Sequence, residues 1–449
     1  MPSLSNLRKT RATFFTACLL LVAVVGDGGP QKSAGLHHQL LLLPITALFL
    51  FFLARLLFGK ELPKPRWTIR RALALCALFE LLSGGLFFYQ ARHFASVGYQ
   101  LHRPPTLFFY AAALTAILVL IAHRNPTAWQ IFATAMGIYA GGMLLAIWSF
   151  PLTYLRSDML PVIQWSGTNL LHHIDPYATI YIDHRVYNFP YLPGMIVAYL
   201  PFLAAHLDLR IGALVFNLAT ATIFFCAASK EHRREVAALL ALFYLNPFLQ
   251  YRHELYIAPH WLTLVVAFLL LFRKRNLSAA FVFGISAAVY QFTWLIIPFV
   301  LLYAYRNRGL REAAKQAAVC CLGALLVVGP FLRAAAGRIF NDTVTDWGMA
   351  THADAMPMNF SYWVTYLVPP SQLLHLQVAL MVGIFVVVLF KRRCTSLEDT
   401  MRCSTLALTL FILCNVLVDG YFYLMLLVVL LCYLCIANGY WQPARTAEE

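Results

Sequence analysis

The sequence predicts an all-α, polytopic membrane protein, and three observations carry that expectation. Of 449 residues, 61% are apolar and 12% are charged, about half the ~25% charged share of a soluble domain. Apolar runs of roughly 15 to 22 residues recur from end to end, and in a bilayer each can span as a helix with its backbone bonds satisfied internally. Lys and Arg cluster in the short hydrophilic gaps between those runs, as the positive-inside rule expects.

The elements follow in order. "ATFFTACLLLVAVVG" predicts a helix over 12–26. Its flank "LRKTR" also suits a signal peptide, but "DGGPQKSAG" offers no small-x-small cleavage site, so the helix is read as retained. Helices over 39–58, 70–90, 105–122 and 129–149 come next. A long loop over 150–192 ends in "YNFPYLPGM", where Pro190 and Pro193 oppose a helix. A shorter apolar piece covers 193–207. Helices over 210–228, 235–250, 256–272, 276–290, 291–305 and 314–332 lead to a second long loop, 333–370. Helices over 372–390, 403–418 and 420–437 close the chain.

Charge sets the sidedness. With the N-terminus inside and 193–207 lying at the interface or re-entering, "RLLFGKELPKPRWTIRR", "KEHRR", "FRKR", "YRNRGLREAAK" and "KRRCTSLEDTMR" are all cytoplasmic. In that arrangement 25 of the 34 Lys and Arg lie inside and nine outside. A crossing at 193–207 would put "KEHRR" on the wrong face and invert everything after it. The expected topology therefore has about 14 transmembrane helices, two long outward-facing loops, an interfacial helix and both termini inside. The +15 net charge is explained by this asymmetry and does not point to nucleic acid. The ten cysteines lie mostly inside apolar runs without zinc spacing, as buried membrane cysteine does. No metal or cofactor is expected. Glu80, inside an apolar run, is flagged as an intramembrane acid. Asn341 and Asn359 begin outward-facing glycosylation sequons.

The outer loops hold Asp158, Asp175, Asp183, Asp342, Asp346 and Asp354 among abundant aromatics and prolines. The aromatics argue against disorder, and a long loop that is ordered is usually functional. The first reads "SFPLTYLRSDMLPVIQWSGTNLLHHIDPYATIYIDHRVYNFPYLPGMIVAYLPF". A helix, an acid just outside it, a PY turn and a Tyr-x-Pro before an apolar surface helix together resemble the GT-C superfamily of membrane glycosyltransferases. The pattern looks most like glycosyltransferase family 87, the polyprenyl-phosphate-mannose-dependent mannosyltransferases. "HHIDPY" supplies the PY, "YLPG" stands in place of Y-P-P, and "YLPF" supplies the later proline. "LSAAFVFGISAAVYQFTWLIIPFVLL" is similar to another segment of the family, with Tyr290–Gln291 where a Lys or Gln is usual.

The resemblance covers residues 129–437. It divides the chain into N-terminal helices of unassigned role (1–128), a GT-C-like catalytic domain with outer loops 150–209 and 333–370, and a cytoplasmic tail (438–449). It implies an inverting transfer of a sugar, mannose or another hexose or pentose. The sugar moves from a polyprenyl-phosphate donor to a lipid or glycan acceptor on the extracytoplasmic face, in a bacterial plasma membrane rather than the ER. Membrane lipids are the other expected partners. A monophosphate donor does not demand a metal-binding DxD, and the chain has none.

Such a reaction needs a carboxylate to orient and deprotonate the attacking hydroxyl. It needs cationic donors for the departing phosphate, aromatic faces for sugar rings and an apolar groove for the lipid. Asp158 is the candidate base, against an ordinary loop acid. Arg156 either pairs with it or binds phosphate. Asp175 is a turn residue before Pro176 and a candidate substrate contact, with Tyr177. Asp183 and Arg185 form a local pair or reach substrate. Tyr187, Tyr191 and Pro193 shape the site. Arg252 and His253, in "NPFLQYRHELY", are expected at an outer-surface helix turn, binding lipid phosphate or snorkelling. Asp346 and His352 are candidates in the second loop, and Asp419 lies at an outer turn. A transporter or lipid flippase is the competing class, though no matched halves are visible. A ligase or polymerase-like enzyme with a diphosphate donor is a third.

Overall fold

The computed structural model describes residues 4–25, 36–58, 68–123, 125–154, 157–182, 185–187, 189–345, 364, 367–415 and 421–443. The apolar runs become helices, in the order α1 (Leu4–Val25), α2 (Leu36–Phe58), α3 (Ile69–His93), α4 (Arg103–Ala122), α5 (Ala128–Ser149), α6 (Met159–Leu171), α7 (Pro193–Ala204), α8 (Leu209–Ala227), α9 (Arg233–Tyr244), α10 (Pro247–Tyr251), α11 (Ala258–Phe272), α12 (Asn276–Val289), α13 (Phe292–Arg308), α14 (Leu310–Phe340), α15 (Pro370–Phe390), α16 (Leu397–Cys414) and α17 (Tyr421–Ala437). Polar residues start several of them. Thr127 and Gln130 form a reciprocal capping box at α5. Ser396 caps α16 by accepting from Asp399 N. One hairpin, β1 (Ile180–Ile182) with β2 (Arg185–Tyr187), pairs antiparallel.

Among the described residues five helices, α3, α4, α5, α8 and the Leu310–Arg333 part of α14, are long and apolar enough to cross a bilayer. Helix α4 buries only Thr106, Ala113, Ile117 and Leu120 and leaves Phe108 77% exposed. An apolar surface of this kind suits lipid, not water, and the protein is a membrane protein. Where helices meet closely, the contact is built from small residues. A Cβ on Gly284 of α12 would collide with the Cys320 carbonyl of α14, and one on Gly323 with Phe281 O. Backbones this close are typical of membrane helix pairs.

Side-chain and backbone contacts tie the helix ends into two groups. At one end, Arg11 reaches Ala437 O and Glu398, Ser229 N bonds Tyr440 O and Gln442 N bonds Ala227 O. Arg306 bonds Leu389 O nearby in sequence terms to the "KRR" segment. All these segments are expected inside. At the other, Arg210 meets Phe150, Tyr99 meets Glu254 and Arg338 meets Asp175. All of these are expected outside.

Helix α7 begins and ends among the second group. Its Gly194 lies against Ala288 at the end of α12, where a Cβ would fall 2.5 Å from the carbonyl oxygen. Its C-terminus runs into Asp208–Arg210, which holds Phe150. At 12 residues, or ~18 Å, it is too short for a ~30 Å hydrocarbon core.

Three expectations are corrected. The 150–192 loop contains the 13-residue helix α6 and the hairpin. The second loop starts later: after a kink at Ala335 (φ −138°, ψ 16°) the chain is helical again to Phe340, and a π-helical turn, Asn341–Thr345, follows. The helix expected over 235–250 breaks at Asn246–Pro247. There the Asn246 side chain accepts from Phe248 N and donates to Leu19 O, and Pro247 starts a new turn. The core runs from Ala12 to Trp441, so the N-terminal helices pack as part of the same body.

Candidate functional site

At the end of the bundle expected outside, the chain reverses between α10 and α11. Having broken at Pro247, the chain turns through Arg252, His253 and Glu254, which are 7%, 1% and 2% exposed. This corrects the expectation that Arg252 and His253 sit on an outer-surface turn: they lie inside the bundle. His253 Nε2 is 2.9 Å from Glu254 Oε1. Tyr99 Oη donates to the same oxygen at 2.9 Å. Gly98, at φ 90°, makes the turn that delivers Tyr99, since the left-handed region suits glycine. The Tyr99 ring stacks on Phe150 at 4.2 Å, and His253 rests on Phe150 at 5.4 Å. The Arg252 guanidinium lies 5.8 Å over the Phe248 ring.

Helix α3 holds the same segment from the other side. Gln90 donates to Tyr251 O at 2.8 Å, and Gln250 donates to the buried Glu80 at 2.7 Å. Helix α3 and Tyr99 belong to the N-terminal helices, which the resemblance leaves without a role.

The aromatic motif packs inward as a ladder. Tyr177 meets Phe189 at 5.2 Å, Phe189 meets Tyr191 at 5.4 Å, and Tyr191 meets Tyr256 at 4.3 Å between ring centres. Tyr256 Oη bonds Tyr290 Oη at 3.1 Å. Tyr177 Oη donates to Tyr191 O at 2.9 Å, and Tyr199 Oη to Tyr256 O at 2.8 Å. Burial, with Asp342 and Asp175 nearby, holds the Tyr177 phenol above its ordinary range, so it acts as a neutral donor. Beyond Tyr290, His260 bonds Thr293 at 2.8 Å and Ser286 bonds Thr293 at 2.9 Å.

Asp175 is both turn residue and clamp. One oxygen accepts from Tyr177 N at 2.8 Å, and the other meets Arg338 of α14 at 2.7 Å. Asp158 stands exposed at the N-cap of α6. Its side chain makes none of the capping bonds an N-cap Asp ordinarily makes. Arg210, another outward basic residue, is committed: it grips Asp208 with two nitrogens and donates to Phe150 O at 2.8 Å. Arg185 and Tyr187 pair on β2 with Ile182 and Ile180. Arg156, Asp183, Asp346, His352 and Asp419 lie outside the described residues.

A cavity of about 280 Å³ opens between α13, α15 and α16, lined by Gln291, Trp294, Thr343, Met381, Phe411 and Asn415 among others. It adjoins the ladder through Gln291, next to Tyr290, and the Asp342 turn through Thr343.

Sequence reasoning did not single out Glu254, Tyr99, Gln250 or Arg338. The run Arg252–His253–Glu254 inside an apolar stretch was a signal for Glu254. Tyr99 carried none, being 155 residues from its partner.

The chain matches no family model, no curated protein and no solved structure.

Proposed function

We propose that the protein is a multi-pass glycosyltransferase of GT-C type. It moves a sugar from a polyprenyl-phosphate donor to a lipid or glycan acceptor on the extracytoplasmic face, with about 14 crossings. The observation that carries this reading is the outer end itself. An exposed helix-cap carboxylate, Asp158, shares that end with a buried Arg252–His253–Glu254 turn, an aromatic ladder and an apolar cavity between helices. These are the four kinds of group that lipid-linked sugar transfer requires.

In this reading the acceptor oxygen attacks the anomeric carbon from the face opposite the phosphate. The C–O bond to the phosphate breaks, and its electron pair leaves with the phosphate oxygen. The acceptor proton passes to Asp158, and the anomeric centre inverts. Arg252 is the candidate phosphate contact, with Arg338 at the rim. Tyr177 and Tyr191, buried in the ladder, support the wall on the sugar side.

A transporter or lipid flippase is the second reading, favoured by Glu80, a carboxylate buried within α3. The two separate cleanly. Purified protein in detergent is given a polyprenyl-phosphate donor carrying labelled sugar, with membrane lipid extract as acceptor. A transferase moves label to a new product and frees polyprenyl phosphate. A flippase leaves the donor intact, and that result would overturn the proposal.

A further inference from the structure

The cavity between α13, α15 and α16 differs from the rest of the outer end in its charge. Among the described residues its lining contains no Asp, Glu, Lys, Arg or His. Trp294, Leu295, Met381 and Phe411 make it apolar. Its polar groups are neutral amides and one hydroxyl, and most are already engaged. Gln377 donates to Phe411 O, and Thr343 donates to Ile339 O. Gln291 is different: its amide nitrogen and its amide oxygen are both buried and have no hydrogen-bond partner among the described residues. A buried amide lacking both bonds is costly, and a ligand that both donates and accepts relieves the cost. A hydroxyl does so with one atom. A phosphate ester calls for cations, which the described residues of this lining do not provide.

The cavity also opens sideways. Val378 and Val382 line it and are 55% and 57% exposed, on the apolar face that α15 turns outward. A chain entering from the bilayer would therefore reach Gln291 with its head and leave its tail along α15. At about 280 Å³ the space sits near the lower end of the ~300–1,000 Å³ typical of ligand pockets, enough for a head and upper chain. Its polar end adjoins Tyr290 and, through Tyr256, the ladder from Tyr191.

We infer that this cavity takes an uncharged lipid with a hydroxyl-bearing head, bound by Gln291. Resting on the proposed transfer reaction, this lipid is the acceptor, and the phosphate-bearing donor is held elsewhere, on the cationic side.

The test uses the full-length protein in nanodiscs and a monoacylglycerol carrying a diazirine in its chain. After illumination, labelled peptides are mapped by mass spectrometry. Label is expected on α13, α15 or α16. Gln291→Leu keeps the volume and removes one pair of hydrogen bonds, so labelling should fall roughly 5- to 10-fold. Met381→Trp fills the cavity and should abolish labelling without touching Gln291. Unlabelled monoacylglycerol should compete, and polyprenyl phosphate should not. Displacement by polyprenyl phosphate or phospholipid at equal concentration, or labelling indifferent to both substitutions, would overturn the inference. Labelling as expected in a protein that transfers no sugar would leave the lipid site standing and remove the acceptor role. Transfer without labelling would remove the site and keep the reaction.

Discussion

At the inner end of the bundle, Arg11 donates to Ala437 O and Asn438 Oδ1 and meets Glu398 at 2.8 Å, while Arg402 holds the same carboxylate. At the end expected outside, Arg252, His253 and Glu254 are buried as well, with Tyr99 bonded to Glu254 and Phe150 against His253. The inner cluster joins the first helix to the last two. It places the Arg11 guanidinium on the Ala437 carbonyl at the end of α17, where the helix dipole favours positive charge. Its charged groups, Arg11, Glu398 and Arg402, have one another as partners. The outer cluster places three ionisable side chains in succession inside an apolar bundle, a costly arrangement expected where ligands bind. Under the proposed function the same residue types serve closure at one end and recognition at the other.

The sharpest way to break this comparison is an all-or-none one. With the exposed native Cys226 and Cys321 replaced first, Thr168→Cys on α6 should react with an impermeant maleimide added outside intact cells. Glu231→Cys should not. Both positions are exposed, whereas Gly167 is packed on Leu203 and would not accept a cysteine. Labelling of Glu231→Cys without permeabilisation would place both ends on one side.

Next in size, Glu254→Leu removes the shared acceptor of Tyr99 and His253. Breaking a buried charged set costs about 3–5 kcal/mol, read as a lower unfolding midpoint in detergent. An unchanged midpoint would mean that the turn is not held this way. Arg11→Met removes the inner staple but leaves Glu398 to Arg402. A loss of about 1–3 kcal/mol with sugar transfer per folded molecule unchanged is expected, and a loss of turnover would give the inner end a role this account denies it. Arg338→Gln opens an ion pair whose Arg is about half exposed, so stability should change by no more than about 1 kcal/mol. A raised donor KM in that variant, with kcat preserved, would place Arg338 at the phosphate.

Much of this was legible in the residues. Long apolar runs mark helices whatever their neighbours, so most helix positions were readable to within a few residues. The basic gaps marked segments that meet at one end of the bundle. Helix α6 was not readable, because "MLPVIQWSGTNLL" carries Pro161, Gly167 and β-branched residues between two polar stretches, and packing on α7 decides its form. Asn246–Pro247 was a visible break inside an otherwise continuous apolar run. Pairings such as Glu80 with Gln250, 170 residues apart, leave no local trace. The burial of Arg252 and His253 was misjudged for the same reason: three polar residues at a helix junction resemble a surface turn until α3 and Tyr99 are seen to cover them.

The most direct measurement is sugar transfer in sealed, right-side-out vesicles. A labelled short-chain polyprenyl-phosphate donor is added outside, and wild type is compared with Asp158→Asn. The substitution keeps size and most hydrogen bonding while removing charge and basicity, and a positioned base contributes about 10²–10⁴-fold. The account predicts transfer by the wild type and a kcat loss in that range for Asp158→Asn, at an unchanged unfolding midpoint. Wild-type turnover in a well-folded Asp158→Asn, or no movement of sugar by the wild type, would contradict it.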